Sequence, residues 1–188
     1  MARGLRIVGG SAGGRRLVSP KCGARPTTDR VKEALFNVLG AHAVDASVLD
    51  LYAGSGALGI EALSRGAASS EFVDTDAAAV AAIRENLKAA GFTDVARVTR
   101  VDVARYVARA GPAGEPDLDL VLLDPPYDTP NADVEAVLGA LAASGRLRPG
   151  CRVVVERARA AGPPALPQGW QTEFLRAYGD TLLLVATS

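Results

Sequence analysis

The sequence predicts an α/β protein built on a mostly parallel, seven-stranded sheet with helices on both faces. Three observations predict it. Strand-length apolar runs alternate with helical segments from residue 47 onward, the pattern of a parallel sheet with crossover helices. Residues 48–59 read as a strand, a glycine turn and a helix start. The last two strand candidates are joined only by Ala177-Tyr178-Gly179-Asp180, too short for a crossover helix, so they must pair antiparallel. At 188 residues the chain is expected to be one domain, 1–188, long enough for a real core. It divides into a basic N-terminal extension, 1–40, and an α/β body, 41–188.

In chain order, 4–10 and 15–19 read as two short strands around the glycine-rich 9–14 turn, a small N-terminal β-hairpin. Val31, Leu35, Val38 and Leu39 fall at helical spacing, with Thr28 or Asp29 as N-cap and Gly40 as the stop. Strands are expected at 47–51, 70–74, 96–100, 119–123 and 151–156, then at 170–176 and 181–186. Helices are expected at 57–65, 77–90, 102–110 and 131–143. The 162–167 stretch reads as a surface connection.

Two motifs carry chemistry. The first is Asp124-Pro125-Pro126-Tyr127, directly after the apolar run 118–123. Neither proline can donate to a sheet ladder, so the strand ends at Asp124 and presents a carboxylate, a stiff turn and a ring at its carboxyl end. Ligands bind at that edge of open α/β sheets. An acid, proline carbonyls and a ring suit a planar base with an amino group; the plainer reading is a strand end with a Pro-Pro turn. The second motif is the turn Tyr52-Ala53-Gly54-Ser55-Gly56, with Gly59 completing G-x-G-x-x-G. It fits dinucleotide and S-adenosylmethionine binding alike. Asp74, about 20 residues on at the end of a strand, can bond ribose hydroxyls in either case. Hydride transfer has no use for Asp124-Pro125-Pro126-Tyr127, which favours the second cofactor.

Charge and composition exclude several classes. Formal net charge is zero, yet residues 1–28 hold Arg3, Arg6, Arg15, Arg16, Lys21 and Arg25 and no acid. A basic arm on a neutral body reads as a phosphate-contacting element, or as a solvated terminus. Cys22 and Cys151 lack paired spacing, and His42 is the single histidine, so zinc sites, disulfide frameworks and Ser-His-Asp triads are disfavoured. No metal is expected. No apolar run of about 18 residues and no signal core is present, which makes cytoplasmic residence the expectation.

Three blocks resemble one family, the bacterial 16S ribosomal RNA guanine-N2 methyltransferases of the RsmD type, which modify guanine-966. They are Arg6–Gly10 through Arg25-Pro26-Thr27-Thr28-Asp29-Arg30-Val31-Lys32-Glu33-Ala34-Leu35-Phe36-Asn37, then Asp50 through Gly59 with Glu61–Gly66, then Asp124-Pro125-Pro126-Tyr127. One departure is the second half of the 9–14 loop, which is glycine-rich and lacks a bulky residue. The resemblance implies a Rossmann-like, class I S-adenosylmethionine-dependent methyltransferase. Asp50, Tyr52, Ala53, Gly54, Ser55 and Gly56 would hold the methionine part. Asp74 and Thr75 would meet the ribose, Asp102 and Val103 the adenine, and Thr28 would close over the cofactor. Asp76 reads as a helix N-cap, and Asp102 could be one as well.

Asp124, Pro125, Pro126 and Tyr127 would be catalytic: the Asp124 carboxylate and the Pro125 carbonyl accept the guanine amine while Tyr127 stacks on the base. Arg6, Arg15, Arg16, Lys21 and Arg25 would contact RNA. The implied partner is 16S ribosomal RNA, in an assembled or assembling small subunit, with the enzyme a monomer. The competing readings are a DNA adenine-N6 or cytosine-N4 methyltransferase, a nicotinamide-dependent oxidoreductase, and a non-catalytic RNA-binding module.

Overall fold

The computed structural model describes residues 5–20, 28–109 and 116–188. Seven strands form one sheet: β1 (Ser47–Leu51), β2 (Ser69–Asp74), β3 (Ala96–Arg100), β4 (Leu118–Leu123), β5 (Leu147–Ala158), β6 (Gln171–Tyr178) and β7 (Thr181–Thr187). Their order is β3-β2-β1-β4-β5-β7-β6. The first five are parallel, and β7 runs antiparallel between β5 and β6. The helices are α1 (Asp29–Leu39), α2 (Ala57–Ser64), α3 (Ala77–Ala90), α4 (Val103–Val107) and α5 (Asn131–Ala143).

Alternate residues of each central strand enter opposite halves of the core. Val48, Phe72, Leu120, Leu122 and Val154 pack with Leu35 of α1, Ile60 of α2 and Ile83 of α3. Leu49, Leu51, Val73, Val121 and Leu123 pack with Val103 and Val107 of α4 and Val134 and Leu138 of α5. Burial on both faces is why residues 120–123 of β4 and 153–155 of β5 read as unbroken apolar runs rather than alternating ones. Connections from β1 lead toward β2 and β3, whereas β4 and β5 lie on its other side. The strand order therefore reverses between β1 and β4, and a crevice opens beyond their carboxyl ends.

The strands lie close to the positions that the sequence predicts. Thr28 caps α1, accepting from the Val31 N–H. Two elements differ. Helix 102–110 is only α4, because Gly111-Pro112 disfavours helix just beyond it. Strand 151–156 is the longer β5, whose register against β4 shifts between Leu118 and Leu120.

The expected N-terminal hairpin is present, but without regular strands. Its two limbs share one antiparallel bridge, Arg6 with Arg16, and form no strands. Across the limbs the Ile7 N–H donates to the Arg15 carbonyl at 2.9 Å, and the Gly14 and Leu17 N–H groups donate to the Ile7 and Leu5 carbonyls at 2.8 Å, while the turn also engages α2. The N–H groups of Val8 and Gly9 donate to the buried carboxylate of Glu61 at 2.7 and 2.8 Å. Ser11 N–H donates to the Ser64 carbonyl at 2.7 Å and Ala12 N–H to Ser64 Oγ at 2.9 Å. The arm is thus a loop seated on α2, with Ile7, Ala12 and Leu17 in the core.

The steric need for glycine in this loop lies at Gly10, in the half that matches the family. At Gly10 φ is +77°, and a Cβ there would lie 1.8 Å from the Ser64 carbonyl oxygen. At Gly14 φ is +85° but no atom lies within 4 Å of that position. Gly10→Ala is therefore expected to lift the loop off α2 and cost about 2–4 kcal/mol, against about 1 kcal/mol for Gly14→Ala. Denaturant unfolding of the two variants checks this; equal losses would mean that backbone strain alone matters.

Candidate active site

Strand register assembles the site. Asp50 lies opposite Phe72 of β2 and Leu122 of β4, so the ends of all three strands share one edge. Beyond them come the 52–56 turn, Asp74 and Asp124. The Asp124 N–H donates to the Leu51 carbonyl at 3.4 Å, which carries the Pro-Pro turn alongside β1.

The glycine turn is held from two sides. Gly54 N–H donates to Asp74 Oδ2 at 2.8 Å, and Ala53 N–H to the Val73 carbonyl at 3.1 Å. Gly54 and Gly56 have φ of +56° and +76°, conformations that glycine adopts without steric cost. Tyr52 also lies at positive φ, +59°, a strained backbone at the entry to the turn. A Cβ on Gly56 would press on Ile60, Ile83 and Phe72, so this glycine serves packing.

Asp50 is buried, and its Oδ2 accepts the Gly59 N–H at 2.9 Å. Burial pushes its carboxyl well above the usual range, and the charges of Asp124 and Asp74 add to that; the Gly59 bond opposes it. Asp74 Oδ1 accepts the Asp76 N–H at 2.9 Å, and Asp76 caps α3 as expected. Asp102 accepts the Arg105 N–H and caps α4 while also facing the cavity. Burial raises the Tyr52 phenol, with Asp102 and Asp133 adding and Arg157 opposing.

A cavity of about 620 Å³ occupies the crevice. Asp50, Tyr52, Ala53, Gly54, Ser55, Asp74, Thr75, Asp102, Val103, Asp124, Pro125, Pro126 and Tyr127 all line it. Thr28 and Gly56 do not: Thr28 caps α1, and Gly56 faces the core. The Tyr127 ring is partly exposed, and its hydroxyl lies 3.0 Å from Thr181 Oγ1 at the start of β7.

The wall also contains Ser19 and Pro20 of the arm, Ala57, Leu58 and Ala79 of the helices, and Asp76 and Asp128. The two arm residues carry no sequence signal for a cavity. Asp128 follows directly on Tyr127 and could have been read with it. Asn86 is also missed, although it sits on the buried stripe of α3 with Ile83, Leu87 and Ala90, where a polar residue signals a tertiary partner.

Six aspartates line the cavity, and among the described residues no Lys, Arg or His does. Nor is any group of three or more His, Cys, Asp or Glu placed to hold a metal. Of the expected RNA contacts, Arg6 pairs with Asp29 at 2.8 Å and Arg15 donates to the Ala89 carbonyl at 2.5 Å. Arg16 is exposed; Lys21 and Arg25 lie outside the described residues, as does Cys22. Cys151 is buried, and desolvation pushes its thiol up to about 12. His42 is exposed, with its ring beside the Arg152 guanidinium. No described helix is long and apolar enough to cross a membrane.

Comparison with known proteins agrees with the fold. The family described as conserved hypothetical protein 95 matches residues 5–187. Ribosomal RNA small subunit methyltransferase D of Escherichia coli K12 is 38% identical over 167 residues, 88% of this chain and 81% of that protein. Its namesake from Haemophilus influenzae is 34% identical over 168 residues, 88% of this chain and 84% of that one. The solved structure of Escherichia coli yhhF, provisionally described as a methyltransferase, superposes with a TM-score of 0.85 at 34% identity, covering 97% of both chains. The sheet is that of a Rossmann-like methyltransferase, and the chain belongs to the conserved hypothetical protein 95 family, the family of ribosomal RNA small subunit methyltransferase D.

Proposed function

We infer that the protein transfers a methyl group from S-adenosylmethionine to the exocyclic N2 of a guanine in 16S ribosomal RNA. One observation carries the cofactor reading: a 620 Å³ cavity lined by six aspartates and no described cation, with Asp50 buried at its base. Such a cavity favours a cationic occupant. It disfavours a dinucleotide, whose pyrophosphate needs open N–H groups at the glycine turn. Here the Gly54 N–H is already taken by Asp74.

When bound, S-adenosylmethionine supplies a methyl group made electrophilic by its positive sulfonium. Asp50 and the 52–55 turn would hold its methionine part, Asp74 and Thr75 the ribose, and Asp102 and Val103 the adenine. The N2 lone pair of guanine is delocalised into the ring, so the nitrogen must be turned toward the methyl group. The Asp124 carboxylate and the Pro125 carbonyl accept its two N–H bonds and aim the lone pair. Alignment of two held groups removes most of the entropic barrier. Asp124 also favours the positive charge that develops on nitrogen.

Tyr127 stacks on the base once it has left its own stack. Tyr127→Ala is expected to lower kcat/KM about 10- to 100-fold, the worth of one stacked base. Tyr127→Phe keeps the ring and loses only the Thr181 contact, so it should cost less than about fivefold. Equal losses in steady-state assays would assign the role to the hydroxyl.

The ribosomal target is supported by the named relatives, and the exposed Arg16 is a candidate phosphate contact. The chain acts as one catalytic domain, a monomer working on small subunits. The test is incubation with methyl-labelled S-adenosylmethionine and subunits lacking the modification, beside naked 16S RNA and DNA. N2-methylguanosine from the subunits is expected. Labelled adenine or cytosine from DNA, with none from RNA, would sink the substrate reading and keep the cofactor.

A further inference from the structure

Asn86 of α3 is buried, and its amide makes three hydrogen bonds to backbone groups of two distant segments. Its Oδ1 accepts the Val18 N–H at 2.8 Å. Its Nδ2 donates to the Val18 carbonyl at 2.9 Å and to the Ser55 carbonyl at 2.8 Å. The side chain therefore pairs with Val18 as a neighbouring strand would, with one donor and one acceptor. Its remaining N–H holds the glycine turn. The residues that follow Val18, Ser19 and Pro20, line the cavity, and so does Ser55.

We propose that Asn86 is a positioning residue for the cofactor, because it locks the N-terminal arm to the glycine turn and so makes Ser19 and Pro20 a fixed wall of the cavity. This rests on the reading of that cavity as the S-adenosylmethionine site. The arm has a second tie to α3, the Arg15 bond to Ala89, but that bond lies at an exposed side chain and does not touch the turn. Among the described residues only the Asn86 side chain bonds both segments, and no other side-chain type of its length offers the required acceptor and two donors. Asn86→Asp keeps the acceptor and sets a carboxylate against two carbonyls. Asn86→Ala removes all three bonds.

Binding of S-adenosylmethionine and S-adenosylhomocysteine to the full chain, measured by calorimetry, tests the proposal without any RNA. Asn86→Ala is expected to raise Kd about tenfold, and Asn86→Asp more. With the cofactor saturating, kcat for the wild-type reaction should be kept within about threefold, a KM effect. A cycle with Val18→Pro separates positioning from simple loss of stability. That variant deletes the Val18 N–H, replaces its exposed side chain and fixes φ, all within the arm, and changes no residue of α3 or the turn. If Asn86 acts through the arm, the double variant binds no more weakly than Asn86→Ala. Full additivity, or a Kd for Asn86→Ala within twofold of wild type, would overturn the proposal. Should the wild type itself bind neither ligand, the cofactor reading fails instead.

Discussion

Asp124→Ala is expected to lower kcat on the order of a hundredfold to a thousandfold while changing cofactor Kd only a few-fold. The carboxylate stands where the β4 edge meets the glycine turn of β1, and it lines the cavity. In the proposed reaction it orients the amine and favours its developing charge, interactions that strengthen toward the transition state. Loss of such an interaction lowers kcat and kcat/KM together. Asp124→Asn keeps one carbonyl acceptor but turns an NH2 toward the amine hydrogens, so it should fall between the wild type and alanine. Single-turnover methylation with both substrates saturating is the measurement. An alanine variant of normal rate would remove Asp124 from the chemistry.

Gly59→Ala is expected to show the largest loss of stability of any single added methyl in the glycine turn and α2. Alanine is normally better than glycine inside a helix by about 1 kcal/mol. At Gly59, though, a Cβ would sit 2.4 Å from the Phe72 ring, 2.8 Å from Ser70 Oγ and 2.9 Å from Asp50 Oδ2. All three neighbours are buried, so none can swing away into solvent. Overpacking of that kind costs about 1–3 kcal/mol, and breaking the Gly59 bond to Asp50 adds about another 1–3. The clash wins, for a net loss of about 1–5 kcal/mol. Cofactor affinity should fall with it, because Asp50 must shift. Gly139→Ala in α5 is the control: nothing lies within 4 Å of its Cβ position. The same substitution there should stabilise by up to about 1 kcal/mol. Thermal and denaturant melts of the pair decide the matter, and a Gly59→Ala variant as stable as the wild type would show that α2 has room to move.

The sheet was legible because β4 and the centre of β5 are buried apolar runs and helices of recognisable length alternate with the parallel strands. Asp76 and Asp102 were readable as caps because capping is local, reaching two or three residues along the chain. Asp124-Pro125-Pro126-Tyr127 was readable because two prolines end a strand whatever surrounds them. The rest depends on partners remote in sequence. Glu61 reads as an ordinary helical acid until Val8 and Gly9, more than 50 residues away, donate to it. Gly59 reads as part of a ligand fingerprint, yet its hydrogen atom is required by Phe72 and Asp50. Arg6 and Arg15 read as phosphate contacts by charge alone, while the folded arm commits both to its own body. The hairpin keeps its cross-limb bonds but forms no regular strands, because the N–H groups of Val8, Gly9, Ser11 and Ala12 find acceptors on α2.

The seating of the arm also has a kinetic meaning. Val8, Gly9 and Ala12 wait for acceptors on α2, and Val18 waits for one on α3, 68 residues downstream. None of these bonds can form locally, so closing them carries a loop entropy that only the assembled helices repay. A segment synthesised before both helices is thus fixed after them. In pulse-labelled hydrogen exchange during refolding, the amides of Val8, Gly9, Ala12 and Val18 should gain protection after those of α2 and α3. Protection of the arm ahead of the helices would mean that it orders on its own.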